Sequence, residues 1–349
     1  MKILKKKVLI LGSEGYIGSE LCNYLKKDKN IILTKIDNKL YFNNSIKQNN
    51  NFINKDLRFL SNEYISKFDV IIMLAGLSNN PIDNLFPEKA YNVVYKYTQR
   101  IALLCKKYKI KFIWPSSCSV YGNSLSKSVN ENSTTNPLTY YSKNKIKIEN
   151  FLKKISDKKF HPIILRISTV FGFSNSLRLD TVTNMLMMMA IENKEIILNS
   201  DGSALRPLVS LNGVVKAFYY AIFFKSKKME IINVGTNSNN FSILKLAKKI
   251  SKLNKNIKIK INSKNIFFKD SLVNKKDSRS YKVNFNKIKK KFPKFSDNVN
   301  HELKNLQNKL KKYKEKKILK NRKFYRLKQI SFYLRRKRIS KDLFIKKIK

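Results

Sequence analysis

Apolar residues fall along this chain in two rhythms. Short continuous runs at Lys5–Leu11, Ile31–Ile36, Asp69–Leu74, Lys111–Trp114 and Pro162–Ile167 read as strands buried on both faces, as in a parallel sheet. Between them the apolar positions take helical spacing. Leu21 and Leu25 form one such set, and Val93, Val94, Tyr97, Ile101 and Leu104 form another within Ala90–Tyr108. A third set, Ile148, Phe151, Leu152 and Ile155, follows Tyr141. Strands alternating with helices predict an α/β fold, a Rossmann-type doubly wound parallel sheet, over residues 1–172.

Past Gly172 the rhythm loosens. Thr181–Ile191 is a Met-rich helical stretch, Glu195–Leu198 a short strand, Val214–Phe224 a helix, Ile231–Gly235 a returning strand and Ser242–Leu253 a helix. The irregular spacing suits a smaller C-terminal substrate-binding lobe, residues 173–292, that also returns elements to the first sheet. From about Pro293 the chain turns Lys-rich. Leu303, Leu306, Leu310 and Tyr313 can line one helix face, and a patch with Phe324, Tyr325, Phe332, Tyr333, Leu334 and Arg335–Arg338 follows. Residues 293–349 are expected to be a basic helical C-terminal extension, an appendage to the catalytic unit.

Composition adds limits. With 349 residues, 42% of them hydrophobic, the chain can bury a sizeable core. Three widely spaced cysteines (Cys22, Cys105, Cys118) make neither a disulfide framework nor a zinc cluster, and His161 and His301 are too isolated for a metal site, so no metal is expected and the setting is cytoplasmic. The basic N-terminus runs into a strand rather than a signal peptide, and no apolar run reaches the ~18 residues of a membrane span. The net charge is +51, and residues 301–349 hold only 20 Lys/Arg against 3 Asp/Glu, so the excess is spread over the whole chain. That spread argues for solvated surface and against a nucleic-acid footprint. The tail alone interleaves aromatics with cations, a pattern suited to weak contact with an anionic membrane surface.

The candidate chemistry begins at Gly12-Ser-Glu-Gly15-Tyr16-Ile17-Gly18. Three glycines between an apolar strand and a helix, with Asp37 closing the next strand 19 residues after Gly18, form a dinucleotide-binding fingerprint in GxxGxxG spacing. Asp37 would accept from the adenosine ribose hydroxyls and repel a 2′-phosphate, which favours NAD over NADP. Farther on, Tyr141 and Lys145 stand four apart at a helix start, on one face, where phenol and ammonium can act on one hydroxyl. A phenol with a pKa of about 10 needs such a cation to work as a base near neutral pH.

Taken together, Gly12–Gly18, Asp37, Asp56-Leu57, Leu74-Ala75-Gly76, Pro115–Gly122 and Asn136–Lys145 resemble the extended short-chain dehydrogenase/reductase family, in its sugar-nucleotide epimerase/dehydratase branch. The resemblance runs from about Val8 to Phe292. It implies that Asp56 holds the adenine amino group, that Ala75-Gly76 lies against the cofactor, and that Tyr141 is the acid/base, Lys145 its partner and Ser117 the hydroxyl holding the sugar oxygen. It further implies a nucleotide-sugar substrate met by Arg206, with Arg178 and Arg279 as further cations, and a homodimer.

The 4,6-dehydratases of the branch need a carboxylic acid pair just before Val-Tyr-Gly, where this chain has Cys118-Ser119. The expectation is therefore an NAD-dependent epimerase of surface polysaccharide or deoxysugar synthesis, with a keto-sugar reductase as the alternative and a non-catalytic NAD-binding protein as a distant third. Thr169, Asn144, Ser210 and Asn212 depart from residues frequent in the family, which leaves the sugar open.

Overall fold

The computed structural model describes residues 5–41, 52–77, 89–124, 128–253, 256–261, 279–312, 317–340 and 345. Tyr313 and most of the Asn-rich link after Asp37 lie outside them.

The first unit runs β1 (Lys6–Leu11), α1 (Tyr16–Leu25), β2 (Ile31–Asp37), β3 (Ile53–Asn54), α2 (Asn62–Ile65), β4 (Val70–Met73), α3 (Lys89–Lys107), β5 (Lys111–Ser117), α4 (Tyr140–Ile155) and β6 (Ile163–Ile167). The chain then goes through β7 (Thr169–Phe171), α5 (Val182–Glu192), β8 (Glu195–Leu198), β9 (Leu205–Ser210) and α6 (Leu211–Phe223). It ends with β10 (Glu230–Val234), β11 (Asn240–Ser242), α7 (Ile243–Lys252), β12 (Lys258–Ile261), α8 (Asn286–Lys291), α9 (Val299–Lys311) and α10 (Arg326–Arg335).

Seven parallel strands in the order β10-β6-β5-β4-β1-β2-β3 form the expected doubly wound sheet. Its strands lack polar alternation because both faces are covered. Val8 and Ile10 enter the core shared with α1 and α6, while Leu9 and Leu11 enter the core shared with α3 and α4. The two-residue period of a strand thus divides one apolar run between two layers.

The second lobe carries a three-stranded sheet, β11-β9-β7, and the parallel pair β12-β8. Met187, Met188 and Met189 of α5 are buried at the centre of its core, as adaptable packing.

The extension differs from the expected appendage. Helix α9 buries Val299, Leu303, Leu306 and Leu310 in that same second core. Ser210, which caps α6, donates to Asp297 Oδ1 at 2.5 Å, and Asn212 donates to Glu302 at 3.0 Å. Helix α10 folds back on the first unit, burying Leu327 and Ile330 beside Leu77 and Tyr91, with Tyr141 at the edge of the cluster. Phe324 and Tyr325 are buried as well, whereas Phe332, Tyr333 and Leu334 are half-buried. Arg335–Arg338 remain exposed.

Candidate active site

The C-terminal ends of β1, β4 and β5 open into a cleft of about 1050 Å³. A smaller pocket of about 120 Å³ continues it beyond the end of β2. Ligands of open α/β sheets bind at this edge.

At the glycine turn, Gly12 has φ +91°, and a Cβ there would come within 2.5 Å of the Ala75 backbone nitrogen. A Cβ on Gly18 would strike the Gly12 carbonyl. Strand, turn and helix are packed too closely for side chains at these two positions. Gly15 is the N-cap of α1, no side chain caps the helix, and its first turn, Gly15 to Gly18, lines the cleft. That cradle fits the diphosphate of a dinucleotide.

Asp37 lines the smaller pocket and accepts from the Glu14 N–H at 3.0 Å and the Lys39 N–H at 2.7 Å. Burial pushes its carboxyl above the usual range, and these amides oppose the shift. Asp56 and Leu57 line the same pocket. Arg58 grips Asp56 from Nε at 2.8 Å and Nη2 at 2.5 Å. Although burial works the other way, those bonds hold Asp56 below its ordinary value.

Tyr141 and Lys145 stand on the first turns of α4, which a capping box fixes. Thr139 Oγ1 accepts from the Ser142 N–H at 3.2 Å, and Ser142 Oγ accepts from the Thr139 N–H at 3.1 Å. Lys145 Nζ donates to the Pro115 carbonyl at 2.6 Å and lies 4.4 Å from the Trp114 ring centre and 5.5 Å from that of Tyr141. Burial pulls its ammonium down to about 7, against the raising effect of Glu149. Ser117 ends β5, and its Oγ accepts from the Ser119 N–H at 3.1 Å. Ser117, Tyr141 and Lys145 all line the large cleft.

Cys118 turns away from the cleft. Its thiol donates to the Arg166 carbonyl at 3.2 Å, and burial lifts it to about 12. Ser119 lines the cleft with a buried hydroxyl that has no hydrogen-bond partner among the described residues.

A brace beneath these groups was not among the expected features. Glu149, two turns beyond Tyr141 on α4, receives Arg166 Nε at 3.1 Å and Nη2 at 2.7 Å, and Ser116 Oγ at 2.5 Å. This ties α4 to the ends of β5 and β6. The spacing Tyr141, Lys145, Glu149 was the available signal, since an acid on the inward face of a helix needs a partner.

Arg178, Arg206 and Arg279 all line the cleft, Arg178 beside the Tyr16 ring of α1 at 6.0 Å. Arg178 pairs with Asp180 at 2.8 Å. Arg206 Nη1 donates to the carbonyls of Leu205 and Arg279. Thr169 and Asn144 also line the cleft. Tyr41 and Arg326 line it too, and neither was among the expected site residues.

The family model for the NAD dependent epimerase/dehydratase family matches residues 8–235. The chain belongs to that family. Its cofactor is accordingly NAD, and the glycine turn fits it. A dTDP-D-glucose 4,6-dehydratase of Dictyostelium discoideum is 30% identical over 70% of this chain and 61% of its own length, so the chain spans less than two thirds of that relative. An uncharacterized UDP-glucose epimerase, YtcB, of Bacillus subtilis (strain 168) is 28% identical over 69% of this chain and 79% of its own.

Among solved structures, the UDP-N-acetylglucosamine 4-epimerase of Methanobrevibacter ruminantium M1, in complex with UDP-N-acetylmuramic acid, superposes with a TM-score of 0.75. It is 21% identical, covering 88% of this chain and 99% of that one, a likeness of fold. Epimerases and dehydratases both stand among the relatives. Among the described residues no helix is long and apolar enough to cross a membrane.

Proposed function

We propose that this chain is an NAD-dependent nucleotide-sugar epimerase that oxidises and re-reduces one sugar carbon, C4 in the leading case, without dehydration. One observation carries the choice. The two positions where the family's dehydratases hold their acid pair are Cys118, whose thiol points into the core, and Ser119, a hydroxyl. The acids lining the large cleft do not replace them. Asp180 is paired with Arg178, and Asp201 accepts from the Ser203 N–H at 3.1 Å and Oγ at 2.9 Å.

In this reading Tyr141, as phenolate, removes the proton of the sugar hydroxyl. Lys145 beside it supplies positive charge that favours the phenolate, and the Ser117 hydroxyl donates to the oxygen that becomes a ketone. NAD, when bound, supplies the hydride acceptor and donor. Tyr141 returns its proton as the ketone is reduced from the opposite face, so the product is the epimer. Arg206 and Arg279, across the cleft, suit the diphosphate of the substrate. The three-part division at residues 172 and 292 belongs to the same reading, with α9 of the extension packed into the core of the substrate lobe.

The test is to incubate the full chain, without added cofactor, with a panel of nucleotide sugars and separate the products. Formation of an epimer supports the proposal. No conversion of the panel, with a keto-sugar nucleotide reduced only when reduced cofactor is added, would make it a reductase, and an unsaturated or deoxy keto-sugar product a dehydratase.

A further inference from the structure

The family match ends at residue 235, yet a side chain from beyond it reaches the cofactor cleft. Arg326, the first residue of α10, is only 3% exposed and lines the cleft together with Gly12, Gly15, Tyr16 and Tyr41. Its Nη1 donates to the Tyr41 carbonyl at 3.2 Å and Gln329 Oε1 at 3.1 Å, and its Nη2 to the Ser176 carbonyl at 3.1 Å and Oγ at 2.5 Å. Every one of these acceptors is neutral.

The contrast with its neighbours is sharp. Arg166 and Arg178, comparably buried, each face a carboxylate. Among the described residues Arg326 has none within ion-pair distance. Arg178 lies close enough to repel it, and burial together with that like charge pulls the guanidinium down to about 10. Asp180, whose Oδ2 accepts the Arg326 backbone N–H at 3.2 Å, and Asp37 offset that pull only in part. A buried guanidinium with no carboxylate paired to it is costly, and a bound anion would relieve the cost.

A second, independent feature points the same way. The Tyr41 ring lies under the Arg326 guanidinium, 4.4 Å from centre to centre. Its hydroxyl is buried with no partner among the described residues, although Tyr41 lines both pockets. Ser176, which holds Arg326, is itself held by Ser174, whose hydroxyl meets Ser19 of α1 at 2.8 Å. Arg326 is thereby tethered to the helix whose N-terminus faces the cleft.

We infer that Arg326 and Tyr41 form a second grip on the diphosphate of the bound dinucleotide, opposite the glycine turn, with Arg326 delivered by the C-terminal extension. The extension then serves as the outer wall of the cofactor site, and the enzyme would hold NAD more tightly for it. This rests on NAD binding at the glycine turn. It does not depend on the reaction being epimerisation.

Calorimetric titration of the nucleotide-free full-length chain tests it with NAD, ADP-ribose, UDP and adenosine. Arg326→Gln should weaken NAD and ADP-ribose by about tenfold or more, leaving adenosine and UDP nearly unchanged. Arg326→Lys should recover part of the loss, and Arg335→Ala, on the exposed end of α10, should change nothing. Because Arg326 has four bonds within the protein, its removal can also loosen the fold. Tyr41→Phe avoids this, since the deleted hydroxyl has no partner among the described residues, and should weaken NAD severalfold with an unchanged melting temperature.

NAD affinity unaltered in both Arg326→Gln and Tyr41→Phe would overturn the inference, as would an equal loss for adenosine or a loss confined to UDP. A wild-type chain that binds adenosine but not NAD overturns it as well. One that binds neither overturns the cofactor assignment beneath it.

Discussion

Replacing Glu149 with glutamine keeps the side chain's shape and removes one charge of a buried pair. Glu149 and Arg166 are 3% and 4% exposed and share two bonds, at 2.7 and 3.1 Å. Removing one partner of such a pair costs about 3–5 kcal/mol, because the other charge stays buried and uncompensated. At roughly 2.1 cal/mol/K per residue, the unfolding entropy of a chain this long is about 0.7 kcal/mol/K. The melting temperature should therefore fall by about 4–7 °C.

Differential scanning calorimetry of wild type and Glu149→Gln reads this directly. A fall of less than about 1 °C would refute the reasoning, since it would mean that Arg166 finds another counter-charge or water. The double variant Glu149→Leu, Arg166→Met removes both charges and should recover most of the loss, as apolar replacement of a whole buried pair is often neutral. Losses that simply add would show that the two residues do not act as a pair.

Three further outcomes follow from the site. Tyr141→Phe should lower turnover by about 10²–10⁴-fold while the bound NAD content is unchanged, read by steady-state rates and by nucleotide released on denaturation; a smaller loss would remove Tyr141 from the proton transfer. Gly12→Ala should cost on the order of 1–3 kcal/mol and lose NAD binding, because the left-handed φ and the Ala75 backbone leave no room for a methyl group; retained binding would remove the close approach from the account. Lys145, pulled down to about 7 in the folded chain, binds its proton more weakly there than when unfolded. The unfolded state thus holds the extra proton between about pH 7 and 10, and Lys145 contributes stability that rises with pH across that window. The stability difference between wild type and Lys145→Met should change with pH in that direction, and a flat difference in denaturant melts would contradict the burial of the ammonium.

The sheet was legible because its rule is local. A run such as Val8–Leu11 needs no distant partner to show that both of its faces are covered, and the glycine turn, Asp37, Tyr141 and Lys145 lie at fixed spacings from such runs. The fate of the tail was not local. Leu303, Leu306 and Leu310 announced an apolar face, but nothing in their spacing told that α5 would be the surface they meet. Arg326 is one cation among 74 Lys and Arg, and only the folded chain places it beside the glycine turn. Ser210 and Asn212, read as departures that bear on substrate, instead bond to Asp297 and Glu302. There too the partner lies almost ninety residues away.

The central claim is that hydride leaves and returns to the same sugar carbon. Its most direct test follows a deuterium placed on C4 of a nucleotide sugar that the chain turns over, with the product read by mass spectrometry and proton NMR. The account predicts a product of the substrate's own mass, inverted at C4, with the deuterium still on C4. Deuterium found on C6, or a product lighter by one water, would contradict it.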